Sequence, residues 1–409
     1  MVTDTLIPKG YQQTDAGVIP DDWEVKELGT IAHFENGKAH ENYISDDGDY
    51  IVINSKFISS EGGVFKYSNR NFSPISVGDI AFVMSDIPNG KALAKCYLVK
   101  RDNKFALNQR ICSLRAAEVD NVFLFYTLNR NRYFLQFDNG VSQTNLRRGD
   151  VLKCPLTIPS TKTEQATIAT ALSDANALIV SLEKLIAKKK AIKQGTMQQL
   201  FAPKEHWEEK TIFQIADNKK ELFDDGDWIE AEHITDKGIR LIQTGNIGIG
   251  TFVEKETRKY IFKESFYKLG CKELKVGDLL ICRLAEPAGR SCVLPFIGEE
   301  KVITSVDVTI FRPREELANR VFLSNMFSTS VWFKAISELC GGTTHKRISR
   351  SALGRIKIFL PRIEEQTAIA TILSDMDAEI EELEQKLDKY KMIKQGMMQE
   401  LLTGRTRLI

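Results

Sequence analysis

Few residues in this chain have the types and spacing that reactions need. Pro20-Asp21 followed by Glu24-Val25-Lys26 has the outline of a metal-dependent nuclease motif. Its carboxylates are only three residues apart, whereas a two-metal site draws them from different strands, so chance resemblance is the better reading. No G-x-x-x-x-G-K-[ST] run is present to cradle a phosphate. Gly245, Gly248 and Gly250 have the wrong spacing for a dinucleotide fingerprint and read as a turn. The Asn-Pro-Pro-aromatic tetrapeptide that many amino-methylating DNA enzymes use on a flipped base does not occur. The seven cysteines, at 96, 112, 154, 271, 282, 292 and 340, never form CxxC, and with five scattered histidines they give no zinc spacing. They read as reduced thiols, mostly in cores. His206 and His345 each stand alone. No catalytic residue, metal ligand or cofactor-binding residue is therefore expected in the chain.

What remains is recognition chemistry. Base edges are read by Arg, Lys, Asn, Gln and Ser, and phosphates are held by Arg and Lys. Glycine-rich and basic loops carry these types at Asn36 and Lys38, at Ser85, Asn89 and Lys91, and at Gln143, Thr144, Arg147 and Arg148. Farther along they recur at Arg283, Arg290, His345, Lys346 and Arg347. For each, a solvated turn or a salt bridge is the competing reading. The net charge of +1 argues against a protein that holds nucleic acid by bulk electrostatics. The charge is nevertheless segregated: residues 1–90 carry 6 Lys/Arg against 14 Asp/Glu, and residues 91–153 carry 12 against 5. Residues 339–362 hold six basic residues and no acid.

The elements that must position these residues come in a repeated order. Glu164-Gln165-Ala166-Thr167-Ile168-Ala169-Thr170 recurs as Glu365-Gln366-Thr367-Ala368-Ile369-Ala370-Thr371, and Ile192-Lys193-Gln194-Gly195 as Ile393-Lys394-Gln395-Gly396, both at an offset of 201. A duplication builds pseudo-twofold symmetry into one chain while letting the halves differ, which suits duplex DNA as a target. The expected domains are 1–158 and 204–360, each α+β with a twisted, mostly antiparallel sheet, and the expected long helices are 159–203 and 361–409. In each domain a Gly-Asp turn leads into an apolar strand, Ile80-Ala81-Phe82-Val83 or Leu279-Leu280-Ile281-Cys282. At 409 residues there is room for two or three cores. There is no apolar run of about 18 residues to span a membrane, and the first residues do not resemble an export signal, so a cytoplasmic location is expected.

The helices have the strongest pattern. Ile369, Leu373, Met376, Ile380, Leu383, Leu387 and Tyr390 step 4-3-4-3-4-3, and Ile168, Leu172, Ala175, Ile179, Leu182 and Ile186 follow the same steps until Lys189 ends the run. Both seams then shift by three, to Ile192 and Ile393, which predicts a local break in phase. A helix from 164 to 201 would be roughly 57 Å long at 1.5 Å per residue. Parallel pairing would set Lys188 against Lys389 and Lys190 against Lys391. Antiparallel pairing at full overlap places Lys184 opposite Glu382 and Lys188 beside Glu379, so an antiparallel pair acting as a spacer is predicted. The alternative is that each helix packs on its own domain as a core helix.

Ile158-Pro159 to Glu164-Gln165-x-x-Ile168-Ala169, repeated as Leu360-Pro361 to Glu365-Gln366-x-x-Ile369-Ala370, resembles the Leu-Pro…Glu-Gln…Ile-Ala signature of type I restriction-modification specificity subunits. Ile19-Pro20-Asp21-Asp22-Trp23 resembles that family's domain opening, and Gln143-Thr144-Asn145-Leu146 its polar loop. The second domain departs, with Thr344-His345-Lys346-Arg347 in place of the Gln-Thr-Asn phrase. The resemblance covers the whole chain. It implies two pseudo-symmetric target-recognition domains separated by two long antiparallel coiled-coil-like helices. It also implies a bipartite site on double-stranded DNA with an unspecified spacer. The implied partners are two methyltransferase subunits that bind S-adenosylmethionine and restriction subunits that use ATP and Mg²⁺, with no catalysis in the chain itself. The rival readings are a stand-alone DNA methylase or nuclease, and a non-DNA coiled-coil scaffold. Exposed helix faces at Lys188, Lys189, Lys190, Glu381 and Glu384 would serve either partner docking or solvation.

Overall fold

A computed structural model describes residues 7–87, 90–101, 104–342 and 346–408. The chain forms two compact units, one of residues 1–183 with 385–409 and one of residues 184–384. In the first unit a four-stranded antiparallel sheet is built from β1 (Ala32–Asn36), β2 (Ile80–Val83), β3 (Cys96–Leu98) and β4 (Ile111–Ala116), in the order β1-β4-β2-β3. In the second unit β5 (Phe223–Asp225), β6 (Leu279–Cys282), β7 (Ser291–Val293) and β8 (Val308–Phe311) pair antiparallel in the order β5-β8-β6-β7. The two sheets thus have the same topology. β2 and β6 span the residues expected from sequence, and all eight of their residues are buried, as their unbroken apolar runs require.

The Gly-Asp turn works alike in both copies. Gly78 and Gly277 sit at φ of +88° and +90°, a backbone region that a side chain would strain. The following aspartates accept from Ser76 N and Lys275 N at 2.8 Å, closing the turn. Each also pairs with an arginine on or just after the central strand of its sheet, Asp79 with Arg115 at 2.5 Å and Asp278 with Arg312 at 2.7 Å.

Each unit contains further small sheets rather than one continuous sheet, and among the strand pairs of the described residues one in each is parallel. Tyr50–Ile53 runs parallel to Phe105–Leu107, and Ile239–Ile242 runs parallel to Val302–Thr304. The strand before each long helix pairs with an early strand of its domain: Pro155–Pro159 with Trp23–Glu27, and Lys357–Leu360 with Glu208–Thr211.

The long helices are α1 (Lys162–Leu200) and α2 (Ile363–Leu401), 39 residues each. Their repeated glutamine explains the entry signature. Gln165 is 3% exposed, donates to Pro159 O at 2.9 Å and accepts from Asp120 N at 2.8 Å. Gln366 is fully buried, donates to Pro361 O at 2.8 Å and Leu317 O at 3.0 Å, and accepts from Asn319 N at 2.9 Å. Asp120 and Asn319 in turn cap the short helices Asn121–Leu128 and Arg320–Met326. One amide side chain therefore ties the start of each long helix to a capped helix of its domain.

The helices are antiparallel within each unit. In the first, Lys391 pairs with Glu183 at 2.8 Å and Lys394 donates to Asn176 at 2.6 Å. In the second, Lys189 pairs with Glu379 at 2.6 Å, Lys190 with Glu384 at 2.7 Å, and Lys193 with Asp377. Glu379 thus takes Lys189 rather than the expected Lys188. The expected phase break does not occur. Ile192 and Ile393 are 44% and 42% exposed, and Lys193 and Lys394 occupy the seam in their place. The 4-3 stepping then continues through Thr196 and Leu200 in α1 and through Met397 and Leu401 in α2, all wholly or partly buried. Unbroken helix geometry overrides residue type at one position, because a lysine stem can lie in a seam if its ammonium finds a partner. Burial lowers the Lys394 pKa below its ordinary value, and the ammonium also lies over the Tyr126 ring at 5.8 Å.

Candidate nucleic-acid interface

The recognition candidates of the first domain, far apart in sequence, are brought to one end of its four-stranded sheet. Asn36 ends β1, and Gly37 N donates to Ile111 O at the start of β4. Just past β2, Met84 N donates to Arg110 O and Met84 O accepts from Leu146 N. Ser85-Asp86 then pairs with Thr144-Asn145. Loops near 37, 85, 110 and 145 therefore share one sheet edge. Asp86 shapes the loop that follows it by accepting from Ala92 N at 2.6 Å and Leu93 N at 3.1 Å.

Ser85 Oγ donates to Asn145 Oδ1 at 2.6 Å, and Gln143 Nε2 donates to both Ser85 Oγ (2.8 Å) and Asn145 Oδ1 (3.1 Å). This polar cluster is surrounded by exposed cations: Lys38, Lys91, Arg147 and Arg148. Arg148 lies over the Phe34 ring at 5.5 Å. Among the described residues no carboxylate forms an ion pair with any of them. Thr144 is buried in the strand pair, so its main chain rather than its side chain shapes the edge. Asn89 and His345 lie outside the described residues. Sequence reading missed Arg110 and Gln109, both exposed on the tight turn before β4. The signal was the polar Asn108-Gln109-Arg110 triplet between two apolar runs.

The second domain builds the same edge with the same main-chain hydrogen bonds. Gly226 N donates to Val308 O, Arg283 N to Asp307 O and Ile348 N to Arg283 O, while Leu284 bridges Arg347. Position by position, Asp225 takes the place of Asn36, Arg283 of Met84, Leu284 of Ser85, Asp307 of Arg110, Arg347 of Asn145 and Arg350 of Arg148. The charges on this edge are paired. Arg283 Nη2 lies 3.0 Å from Asp225 Oδ2, Arg347 Nη2 lies 3.0 Å from Asp307 Oδ1, and Arg350 pairs with Asp224.

Two arginines here differ from their sequence reading. Arg283 is 3% exposed and donates to Ile348 O at 3.2 Å and Val306 O at 2.5 Å. Burial pulls its pKa below the ordinary arginine value, against the Asp225 carboxylate, which raises it. Arg290 spreads its guanidinium over the carbonyls of Ile247, Leu284, Pro287 and Thr244, at 2.7 to 3.1 Å. Both are committed to holding loops together and turn no donor edge to solvent. Lys346 and Arg347 remain exposed.

The other residues singled out for possible chemistry are placed as follows. Within the nuclease-like phrase, Glu24 and Lys26 form an ordinary ion pair with each other at 3.1 Å. Among the described residues no group of three or more His, Cys, Asp and Glu is placed to hold a metal ion. Burial pushes the Cys154 and Cys292 thiols up to about 12, far from a nucleophile's range. His206 does have a partner: its Nε2 lies 2.8 Å from Glu365 Oε2, beside Lys204 Nζ at 2.6 Å from Oε1. The matching Glu164 is held by Arg407 at 2.5 and 2.8 Å, so the segment after one long helix secures the start of the other in each unit.

A repeated recognition domain on a repeated helix entry defines a class of protein. The chain belongs to the type I restriction modification DNA specificity domain family, whose model matches residues 20–194 and again 204–390. It is a DNA-recognition subunit. The chain is similar to the type I restriction enzyme MjaVIII specificity subunit of Methanocaldococcus jannaschii, 25% identical over 95% of this chain and 94% of that protein. It is also 25% identical to the putative type I restriction enzyme MjaX specificity subunit of the same organism, over 98% of this chain and 97% of that protein. Among solved structures it shares its fold with the type I restriction-modification S subunit from M. genitalium (TM-score 0.57, 16% identity, 93% of this chain and 96% of that chain). A chain from a structure of type I R-M system complex assembly and conformational transition has a TM-score of 0.57 at 17% identity, covering 95% of this chain and 99% of that one.

Proposed function

We propose that the chain reads a bipartite target on double-stranded DNA, one half-site per domain, across base pairs it does not specify. The observation that supports this reading is the pair of sheet edges: one main-chain frame, two unlike sets of side chains. Phosphate contacts come from Lys38, Lys91, Arg110, Arg147, Arg148 and Lys346. Base contacts come from Asn36, from Gln143 and Asn145, which the buried Ser85 orients, and from Arg347. Chemistry is supplied by partners: two methyltransferase subunits with S-adenosylmethionine, and restriction subunits with ATP and Mg²⁺. With these partners it would act on DNA in the cytoplasm. No helix among the described residues is long and apolar enough to cross a membrane.

Partner docking needs a surface the helix pair leaves open. Lys189, Lys190 and Glu384 do not provide it, because they are used in pairing α1 with α2. Leu185 and Ile192, seven residues apart on α1 and 38% and 44% exposed, form an apolar line of the kind a partner helix covers.

The test is the methylation pattern left on DNA by this chain assembled with its methyltransferase. Two short specified segments separated by a fixed unspecified gap are expected. A single contiguous site, or methyl transfer or cleavage by the chain alone, would overturn the reading.

A further inference from the structure

Arg347 is the most exposed of the three arginines on the second domain's edge. Its main chain is fixed on both sides: Arg347 N donates to Gly341 O and Gly341 N to Arg347 O, and it bridges Leu284 on the opposite face. Behind it stands the buried Arg283, whose N–H holds Asp307 O and whose carbonyl holds Ile348 N. Arg347 and Asp307 are thus carried on adjacent loops clamped by one buried residue. Asp307 Oδ1 lies 3.0 Å from Nη2, a charge-to-charge contact rather than an aligned hydrogen bond. It restrains one side of the guanidinium and leaves Nη1, and the Nη2 hydrogen that faces the same way, without a partner among the described residues, so the Nη1/Nη2 fork stays open. The side chain is 41% exposed at the mouth of a depression of about 680 Å³, walled by Asp225, Arg283, Val306, Ser349 and Arg350.

We propose that Arg347, oriented by Asp307, reads the major-groove edge of a guanine in the half-site of the second domain. The reasoning is geometric. Guanine presents two acceptors, O6 and N7, and a guanidinium fork matches both at once, which adenine, cytosine and thymine cannot offer. A fork already held by a carboxylate loses less freedom on binding and stays directed at one base. Arg350 and Arg283 do not compete for this role. Arg350 is turned to Asp224, and Arg283 is buried. The first domain has Asn145 at the matching position, so it lacks the fork. A guanine read in this way belongs to one half-site only.

This inference rests on the bipartite reading above, and its test separates the two. The complete methylating complex, carrying wild-type chain or variants, is used to methylate a random-sequence DNA library, and the methylated sites are sequenced. Asn145→Ala identifies the half-site of the first domain. In the other half-site, Arg347→Ala is expected to reduce discrimination at one guanine by about 10- to 100-fold and leave the first half-site intact. Arg347→Lys keeps the charge without the fork, and should retain overall methylation but not the discrimination. Asp307→Asn should give an intermediate loss. An unchanged motif in Arg347→Ala, a uniform weakening at all sites, or a second half-site without guanine overturns the inference while the bipartite reading stands. A wild-type complex that gives no bipartite motif overturns both.

Discussion

The two sheet edges share a frame and oppose each other in charge. In the first domain Lys38, Arg110, Arg147 and Arg148 surround a neutral Ser85–Gln143–Asn145 cluster, and no carboxylate pairs with these cations among the described residues. In the second, three arginines meet three aspartates. One edge carries exposed cations without carboxylate partners among the described residues, the form of charge that a phosphate backbone would meet. The other presents arginines already oriented and partly neutralised. A specificity protein can therefore change what it reads without changing how it folds, because main-chain hydrogen bonds carry the frame and side chains carry the reading.

The largest expected effect tests whether the second edge depends on its charges. Arg283→Ala leaves the Asp225 carboxylate without its arginine and removes the side-chain bonds to Ile348 O and Val306 O, while the main-chain bonds of residue 283 remain. A loss of about 3–5 kcal/mol from the second domain is expected in thermal or denaturant unfolding. Met84→Ala, at the matching position, should cost the first domain only about 1–3 kcal/mol. Equal losses at the two positions would mean that the ion pairs are incidental and the comparison is wrong.

The next effect should be the same in both domains. Gln165→Ala and Gln366→Ala each strip a buried amide from a helix-entry carbonyl and from the N–H of a capping residue. About 1–3 kcal/mol is expected in each case, read as a fall in melting temperature. A large effect in one copy and none in the other would show that the frame is less symmetric than its hydrogen bonds suggest.

Free and paired cations should also differ in their response to salt. Arg147→Ala should weaken DNA binding by the assembled complex by about 1 kcal/mol at all sites and reduce the slope of log affinity against log salt by about one. Arg350→Ala, on the paired edge, should move the slope less. Reversed slopes would place the phosphate contacts on the second domain.

Some of this was legible in sequence, for identifiable reasons. β2 and β6 were readable because a Gly-Asp turn followed by four apolar residues is a local signal. The helix entry was readable because it occurs twice. What was missed depends on distance or on geometry overriding composition. Nothing local shows that Arg283 meets Asp225, or that Arg407 closes on Glu164 across 243 positions. Arg283 and Arg290 looked like readers because arginine is the commonest reader, and neither the burial of Arg283 nor the carbonyl partners of Arg290 are visible in residue type. The phase break at Ile192 and Ile393 was inferred from hydrophobicity alone, yet the seam keeps its 4-3 steps and accepts Lys193 and Lys394.

The smallest effect concerns acid. Lys204, and then His206, hold the Glu365 carboxyl below the usual glutamate range. A carboxyl with a depressed folded pKa contributes stability that is present above its unfolded value, near 4.5, and is lost as pH falls through the folded value. Glu365→Gln should therefore flatten the acid limb of the second domain's stability profile and change little at neutral pH beyond the lost ion pair. Because Lys204 and His206 are about half exposed, solvent screening keeps the contribution to about 0.5 kcal/mol. In the first domain Arg407 pairs with the matching Glu164 at 2.5 and 2.8 Å. The check on the second domain's clamp is its unfolding free energy followed from neutral to acid pH in the wild type and in Glu365→Gln. Parallel profiles would mean that the clamp does not carry the acid sensitivity.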